Sequence, residues 1–206
     1  YLTDDYFLRY SADEIAWHTI AITSTNEADL PLVLLHQQTQ RGSAEVFVYA
    51  KNEEAIFSLS TATLDQLGLT ILDARIMTTQ DNYVLNSFQV LEQSGEPINE
   101  LFRASHICTV LRNHLLQGEV KGHINIHRQS KSRQALHFPI PTTINFLSDP
   151  LNRHTIMELI TTDHAGLLSK IGRTFIRQYV NLQSAKISTI GSRAEDMFYI
   201  TDQQLQ

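Results

Sequence analysis

The chain repeats itself, and this restricts its fold more than any other feature. Ile71-Leu72-Asp73-Ala74-Arg75-Ile76-Met77-Thr78-Thr79 matches Leu182-Gln183-Ser184-Ala185-Lys186-Ile187-Ser188-Thr189-Ile190. Asn86-Ser87-Phe88 matches Asp196-Met197-Phe198 after a one-residue gap. Around each stretch the hydrophobic pattern follows one plan: strand, helix, strand, strand.

In the first copy, Val46-Phe47-Val48-Tyr49 has the composition of a strand. A turn at Ala50-Lys51-Asn52-Glu53 leads into a helix with Ile56, Phe57, Leu59, Leu64 and Leu67 on one arc. Gly68 is the expected stop, in the left-handed conformation. Strands Leu69 to Thr79 and Tyr83 to Leu91 form a hairpin around Gln80-Asp81-Asn82. A second amphipathic helix over 98–117 carries Leu101, Ala104, Cys108, Leu111 and Leu115 on one side, which makes Cys108 a core residue rather than a nucleophile. Thr143 to Leu147 alternates and is placed as the last strand of this domain. The order is then β-α-β-β-α-β, ferredoxin-like.

The second copy has a strand from Ile156 to Ile160, a turn from Thr162 to His164, and a helix beginning near Ala165. Leu167, Leu168, Ile171 and Phe175 lie on one arc of that helix. Asn181 stands near the place of Gly68 and can adopt the left-handed conformation. Strands Leu182 to Ile190 and Glu195 to Thr201 follow, and there the copy stops, truncated after its third strand. The fold class is α+β: tandem ferredoxin-like βαββαβ units with a short N-terminal helical segment. The expected divisions are 1–43 for the helical segment and connector, 44–148 for the first unit with a linker at 118–135, and 153–206 for the second.

The N-terminal segment opens a helix with the capping box Ser11-Ala12-Asp13-Glu14. Trp17-His18 beside it is read as packing or surface rather than chemistry. The linker holds Gly118, Gly122, Lys121, Arg128, Lys131 and Arg133, a polar, basic stretch. His123 and His127 sit four apart within it, but no third ligand is near and the glycines weaken a helix, so no metal site is assigned.

A net charge of −6 argues against nucleic acid as the main partner. One cysteine in 206 residues excludes an internal disulfide framework and suits a reducing, cytoplasmic compartment. No apolar run reaches membrane-span length. The chain opens at Tyr1 without an initiator Met and is read as a fragment.

The junction Thr161-Thr162-Asp163-His164-Ala165-Gly166-Leu167-Leu168 is the place for chemistry. The first N–H groups of a helix lack intrahelical partners and carry the positive end of its dipole, so they suit a carboxylate. Gly166 lets a ligand approach the backbone. Asp163 can cap the helix or hold the amino group of an amino acid.

Asp163-His164-Ala165-Gly166-Leu167-Leu168, followed by Ala185-Lys186-Ile187-Ser188-Thr189-Ile190-Gly191 and Glu195-Asp196-Met197-Phe198-Tyr199, resembles an ACT domain, a small module that binds amino acids. The usual loop reads Asp-Arg-Pro-Gly-Leu-Leu. Here His164 and Ala165 replace Arg and Pro, and the Asp and Gly remain. Asp4-Asp5-Tyr6-Phe7-Leu8-Arg9-Tyr10 with Ala16-Trp17-His18, Pro31-Leu32-Val33-Leu34-Leu35 and Arg41-Gly42 resembles the C-terminal region of the bacterial PII uridylyltransferase/uridylyl-removing enzymes.

That resemblance implies a glutamine-sensing regulatory region that controls uridylylation and deuridylylation of the PII protein. Magnesium is implied for the catalytic parts of such an enzyme and no cofactor for this segment. Neither a nucleotidyl-transfer signature nor a His…His-Asp…Asp set occurs here, so no catalytic residue is expected. By the resemblance, the glutamine site comprises Asp163, His164, Gly166, Leu167, Leu168, Thr189 and Gly191. The α-carboxylate is expected on N–H groups around Gly166, Leu167 and Leu168, the α-ammonium on Asp163, and the amide near Thr189 or Gly191. The first copy's loop, Asn52-Glu53-Glu54-Ala55, has no glycine and two more carboxylates, so the second copy is the better site. Pairing of the two modules, within or between chains, is the structural alternative to ligand binding.

Overall fold

The structure is a computed structural model and describes residues 4–37, 42–53, 55–118, 140–149 and 154–202. Helices α1 (Asp4–Arg9) and α2 (Ala12–Thr23) precede strands β1 (Leu32–His36) and β2 (Ala44–Lys51). Then come α3 (Ile56–Gln66), β3 (Leu69–Thr78), β4 (Tyr83–Glu92) and α4 (Leu101–Gln117). The second half comprises β5 (Thr143–Ser148), β6 (Thr155–Thr162), α5 (Leu167–Arg177), β7 (Val180–Ile190) and β8 (Arg193–Asp202). All eight strands join one sheet in the order β1-β2-β4-β3-β7-β8-β6-β5, antiparallel throughout. Beyond Gly118, the basic linker, with His123 and His127, lies outside the described residues.

The tandem α+β plan read from the repeat is the plan observed, with one strand reassigned. Thr143–Ser148 does not close the first unit; it pairs with β6, Thr143 opposite Ile160 and Ser148 opposite Thr155. The first unit takes its edge strand from β1, Leu32 opposite Tyr49. Each unit therefore receives its fourth strand from the chain before it, and the second has four strands rather than three. A shift of 111 positions carries β1 (from 32) onto β5 (from 143), β2 (from 44) onto β6 (from 155) and α3 (from 56) onto α5 (from 167). Alternation identifies a strand but not its neighbour, which is why the pattern misassigned this one.

α3, α4 and α5 cover one face. Val46, Val48 and Ala50 of β2, Ala74 and Ile76 of β3, Phe88 of β4, Ile187 of β7 and Phe198 of β8 form the core with Leu64, Ile107, Leu111 and Phe175. Cys108 packs against this core, and burial pushes its thiol up to about 11, as suits a core residue.

The opposite residues of the first unit's strands, Phe47, Met77 and Leu85, are covered by Tyr6 and Tyr10. The capping box holds α2 as expected, with Ser11 N–H donating to Glu14 and Glu14 N–H to Ser11 Oγ. His18 is fully buried, stacked on Phe47, its Nδ1 bonded to Tyr6 Oη and its Nε2 3.2 Å from the equally buried Glu45. Arg9 reaches across to the second unit, where it donates to Ser184.

The units meet edge to edge. β3 pairs with β7 from Asp73–Ser188 to Met77–Ser184, and Gly172 of α5 lies against α3 at Ser58. A Cβ at 172 would come within 2.8 Å of Ser58 Cβ, so glycine permits this approach of the helices.

Candidate functional site

The loop after β6 is built by its own backbone. Asp163 N–H donates to Ser192 O at 2.9 Å, which ties the loop to the β7–β8 turn at Gly191 and Ser192. Leu167 N–H donates to His164 O at 3.1 Å. Gly166 takes φ +80° and is the residue that precedes the helix, which begins at Leu167 rather than Ala165. That left-handed geometry is open to glycine at little cost. No side chain of the helix's own cap residue bonds there, so Asp163 is not its N-cap.

Of the seven residues expected to form the site, Asp163, His164, Gly166 and Gly191 are brought together by these contacts. The side chains of Leu167 and Leu168 turn into the core. Thr189 sits on β7 opposite Ala194, which itself pairs with Thr161. His164 is exposed, with Nδ1 3.0 Å from Ala165 O.

The Gly166 N–H has a partner the sequence did not suggest. It donates to Asp65 Oδ2 at 2.9 Å, and Asp65 comes from the last turn of α3 in the other unit. The donor expected to hold a ligand's carboxylate thus holds a carboxylate of the protein.

The second unit carries two more partly or wholly buried carboxyl groups, Asp163 and Asp196. Asp196 on β8 is 2% exposed, accepts from Ser188 N–H with Oδ1, and has no hydrogen-bond partner for Oδ2 among the described residues. Burial pushes Asp65 and Asp196 up to about 7, and the nearby charge of Asp163 adds to both shifts. Asp163 is itself raised by burial, against the opposing effect of His164. These groups favour a neutral form or a bound cation.

The repeat relation supplies a control. Asn52 matches Asp163, and Asn86 matches Asp196, so the equivalent cleft lacks both acids. That cleft opens between α3 and α5, lined by Asn52, Glu53, Phe57, Asn86, Phe175 and Asn181. Asn86 is 1% exposed and its Oδ1 has no partner among the described residues. Glu54 lies outside the described residues. The left-handed residue matching Gly68 is Tyr179, at φ +55°, and not Asn181. Among the described residues, no group of three His, Cys, Asp or Glu is arranged to hold a metal ion. No helix among them is long and apolar enough to cross a membrane.

Sequence reasoning missed Asp65 and Asp196. Asp196 was visible in the repeat, as the acid aligned with Asn86. Asp65 had no local signal, because its role depends on a partner 101 positions away.

Residues 1–21 match a family model described as "Uridylyltransferase GlnD fifth domain". Over 201 residues the chain is 50% identical to the bifunctional uridylyltransferase/uridylyl-removing enzyme of Methylococcus capsulatus, covering 98% of this chain and 23% of that protein. It is 40% identical over 199 residues to the enzyme of the same description from Vibrio parahaemolyticus, covering 97% and 22%. Among solved structures, an aspartate kinase from Synechocystis aligns with a TM-score of 0.39 and 12% identity, over 79% of this chain and 24% of that one. The chain spans less than a quarter of the length of the curated relatives it matches. Identity of 40–50% along almost the whole chain makes it a homologue of one segment of the bifunctional uridylyltransferase/uridylyl-removing enzymes.

Proposed function

We propose that this chain is a regulatory region that senses an amino acid, L-glutamine, at the seam between its two ferredoxin-like units. In the whole protein it controls uridylylation and deuridylylation of PII, in the cytoplasm, with magnesium serving the catalytic parts. The carrying observation is the Gly166 N–H at the start of α5, which donates to a carboxylate under the charge of Asp163, in the same unit as the buried Asp196, whose Oδ2 has no hydrogen-bond partner among the described residues. A free α-amino acid offers both groups such a place uses: a carboxylate for the helix N-terminus and an ammonium for the acids. Glutamine can regulate only by favouring one arrangement of the units, and a site built from both units provides that difference.

A second reading is a purely structural module. The continuous sheet through β3 and β7 and the close α3–α5 contact at Gly172 favour it. Calorimetric titration with L-glutamine, L-glutamate and other amino acids separates the two. Saturable, glutamine-selective heat that is lost in Asp163→Ala is the expected result. A folded protein giving no heat with any amino acid favours the structural module. Gly166 is unsuited to this test, since its positive φ ties any substitution to stability.

A further inference from the structure

Asp65 breaks the relation between the two units. Its counterpart under the 111-residue shift is Ile176, and the counterpart of Gly166 is Ala55. One cleft thus has a carboxylate on a helix N-terminus, where the repeat supplies the other with isoleucine and alanine at the matching positions. The contact crosses the seam, joining the last turn of α3 to the first residue before α5.

Asp196 provides an independent observation. Its side chain is almost wholly buried, and Oδ2 has no hydrogen-bond partner among the described residues. β8 presents it on the same face as Ala194 and Phe198, the face that α5 covers. Asp163 acts electrostatically on Asp65 and on Asp196. The acceptor position on the Gly166 N–H is already filled, by Asp65.

The geometry points to Asp65 as an internal occupant of a carboxylate seat: it holds the Gly166 N–H across the seam and is displaced when an α-amino acid brings its own carboxylate. The identity of the displacing ligand rests on the amino-acid reading above; the existence of the seat does not. Displacement would unfasten α3 from α5 at this point while the ammonium meets Asp163 and Asp196. A ligand that must expel Asp65 binds more weakly than one entering an open seat, because only the open fraction is competent.

The test uses the whole chain, wild type and Asp65→Ala, with formate, the group that the alanine lacks. Thermal melts at pH 8 and constant ionic strength, with chloride as control, are expected to show formate raising the Tm of Asp65→Ala only. Wild type and Asp65→Asn, whose side chains fill the seat, should not respond. Equal effects on all three, or none on any, would overturn the proposal.

Titration with glutamine forms the second arm, in which Asp65→Ala is expected to bind about tenfold more tightly than wild type. Binding by both with equal affinity overturns the displacement and leaves amino-acid sensing standing. Selective rescue by formate without binding of any amino acid establishes the seat and rejects the sensing. Should Asp65→Ala not fold, Asp65→Ser, which also removes the charge, serves in the same comparisons.

Discussion

Arg75 of β3 lies directly opposite Lys186 of β7, and the two occupy the same position in the two copies of the repeat. The local two-fold relation between the units therefore passes between them, which explains why Asp73 faces Ser188 while Met77 faces Ser184.

This places two cations side by side at the seam. Arg75 is drawn toward Glu14 and Asp73, each 3.7 Å away, while Lys186 is exposed. Like charges directly opposite one another cost stability and opposite charges add it, by roughly 0.2–1 kcal/mol. Lys186→Glu should therefore raise stability by a few tenths of a kcal/mol, about 0.2–1, and more at low salt. Urea denaturation at two ionic strengths would detect this; a loss of stability at low salt would refute it.

Gly172 sets the spacing of α3 and α5. A methyl group there would meet Ser58 Cβ at 2.8 Å, Phe57 Cδ1 at 3.0 Å and Ser58 Cα at 3.1 Å. The last is backbone and cannot rotate away. Gly172→Ala is expected to cost about 1–3 kcal/mol through overpacking. Adding Ser58→Gly should recover part of the loss. Thermal melts of the two variants check both statements.

His18 and Glu45 form a pair that water does not reach, and Glu45 Oε2 has no hydrogen-bond partner among the described residues. Removing one member of such a pair strands the other, at a cost of roughly 3–5 kcal/mol. We expect His18→Ala to destabilise the chain by about that amount, and His18→Ala with Glu45→Val to be less damaging than His18→Ala alone. Additive losses in the double variant would show that the pair does not act as a unit.

Asp65 and Asp196 rise from 3.8 to about 7 on folding, chiefly through burial. The folded chain then binds more protons than the unfolded chain between those values. Their stabilising protonated forms are fully present below the unfolded value, and stability falls as pH rises toward 7. Asp196→Asn keeps an acceptor for the Ser188 N–H and removes the buried charge. It should stabilise the protein by on the order of 1–3 kcal/mol at pH 8 and by little at pH 5. Denaturant midpoints at the two pH values would read the difference, and an equal gain at both would refute it.

Tyr179 is 69% exposed and holds φ +55°. A left-handed conformation costs an ordinary residue about 1–2 kcal/mol, and the larger chain entropy of glycine returns part of that. Tyr179→Gly should gain roughly 0.5 kcal/mol, measurable as a higher midpoint in urea.

Much of this architecture was legible in the letters. The repeat gave two units of one plan, and periodicity placed α3, β3, β4, α5, β7 and β8 to within a few residues of their observed bounds. Gly68 stops its helix in the left-handed conformation as read. What was not legible is relational. Thr143–Ser148 has the alternation of a strand, but nothing in that alternation chooses β6 over the first unit. Asn181 was the better left-handed candidate by residue type, yet the turn falls two positions earlier on Tyr179, because the copies align there without a gap. At the site, the loop of Asp163 to Gly166 declared itself by residue type and place. Asp65 could not, since a polar residue late in a helix usually faces water, and only the approach of α5 gives it a partner.

The early position of β1 and β5 bears on how the chain assembles during synthesis. Each edge strand is made before the strand it joins, so the first unit can complete its sheet once β4 has emerged, without anything encoded later. A ferredoxin-like unit whose edge strand comes last must keep its central strand open until synthesis of the unit ends. Here that interval is closed from the outset, and the surface left waiting is the free side of β3, which stays unpaired until β7 arrives.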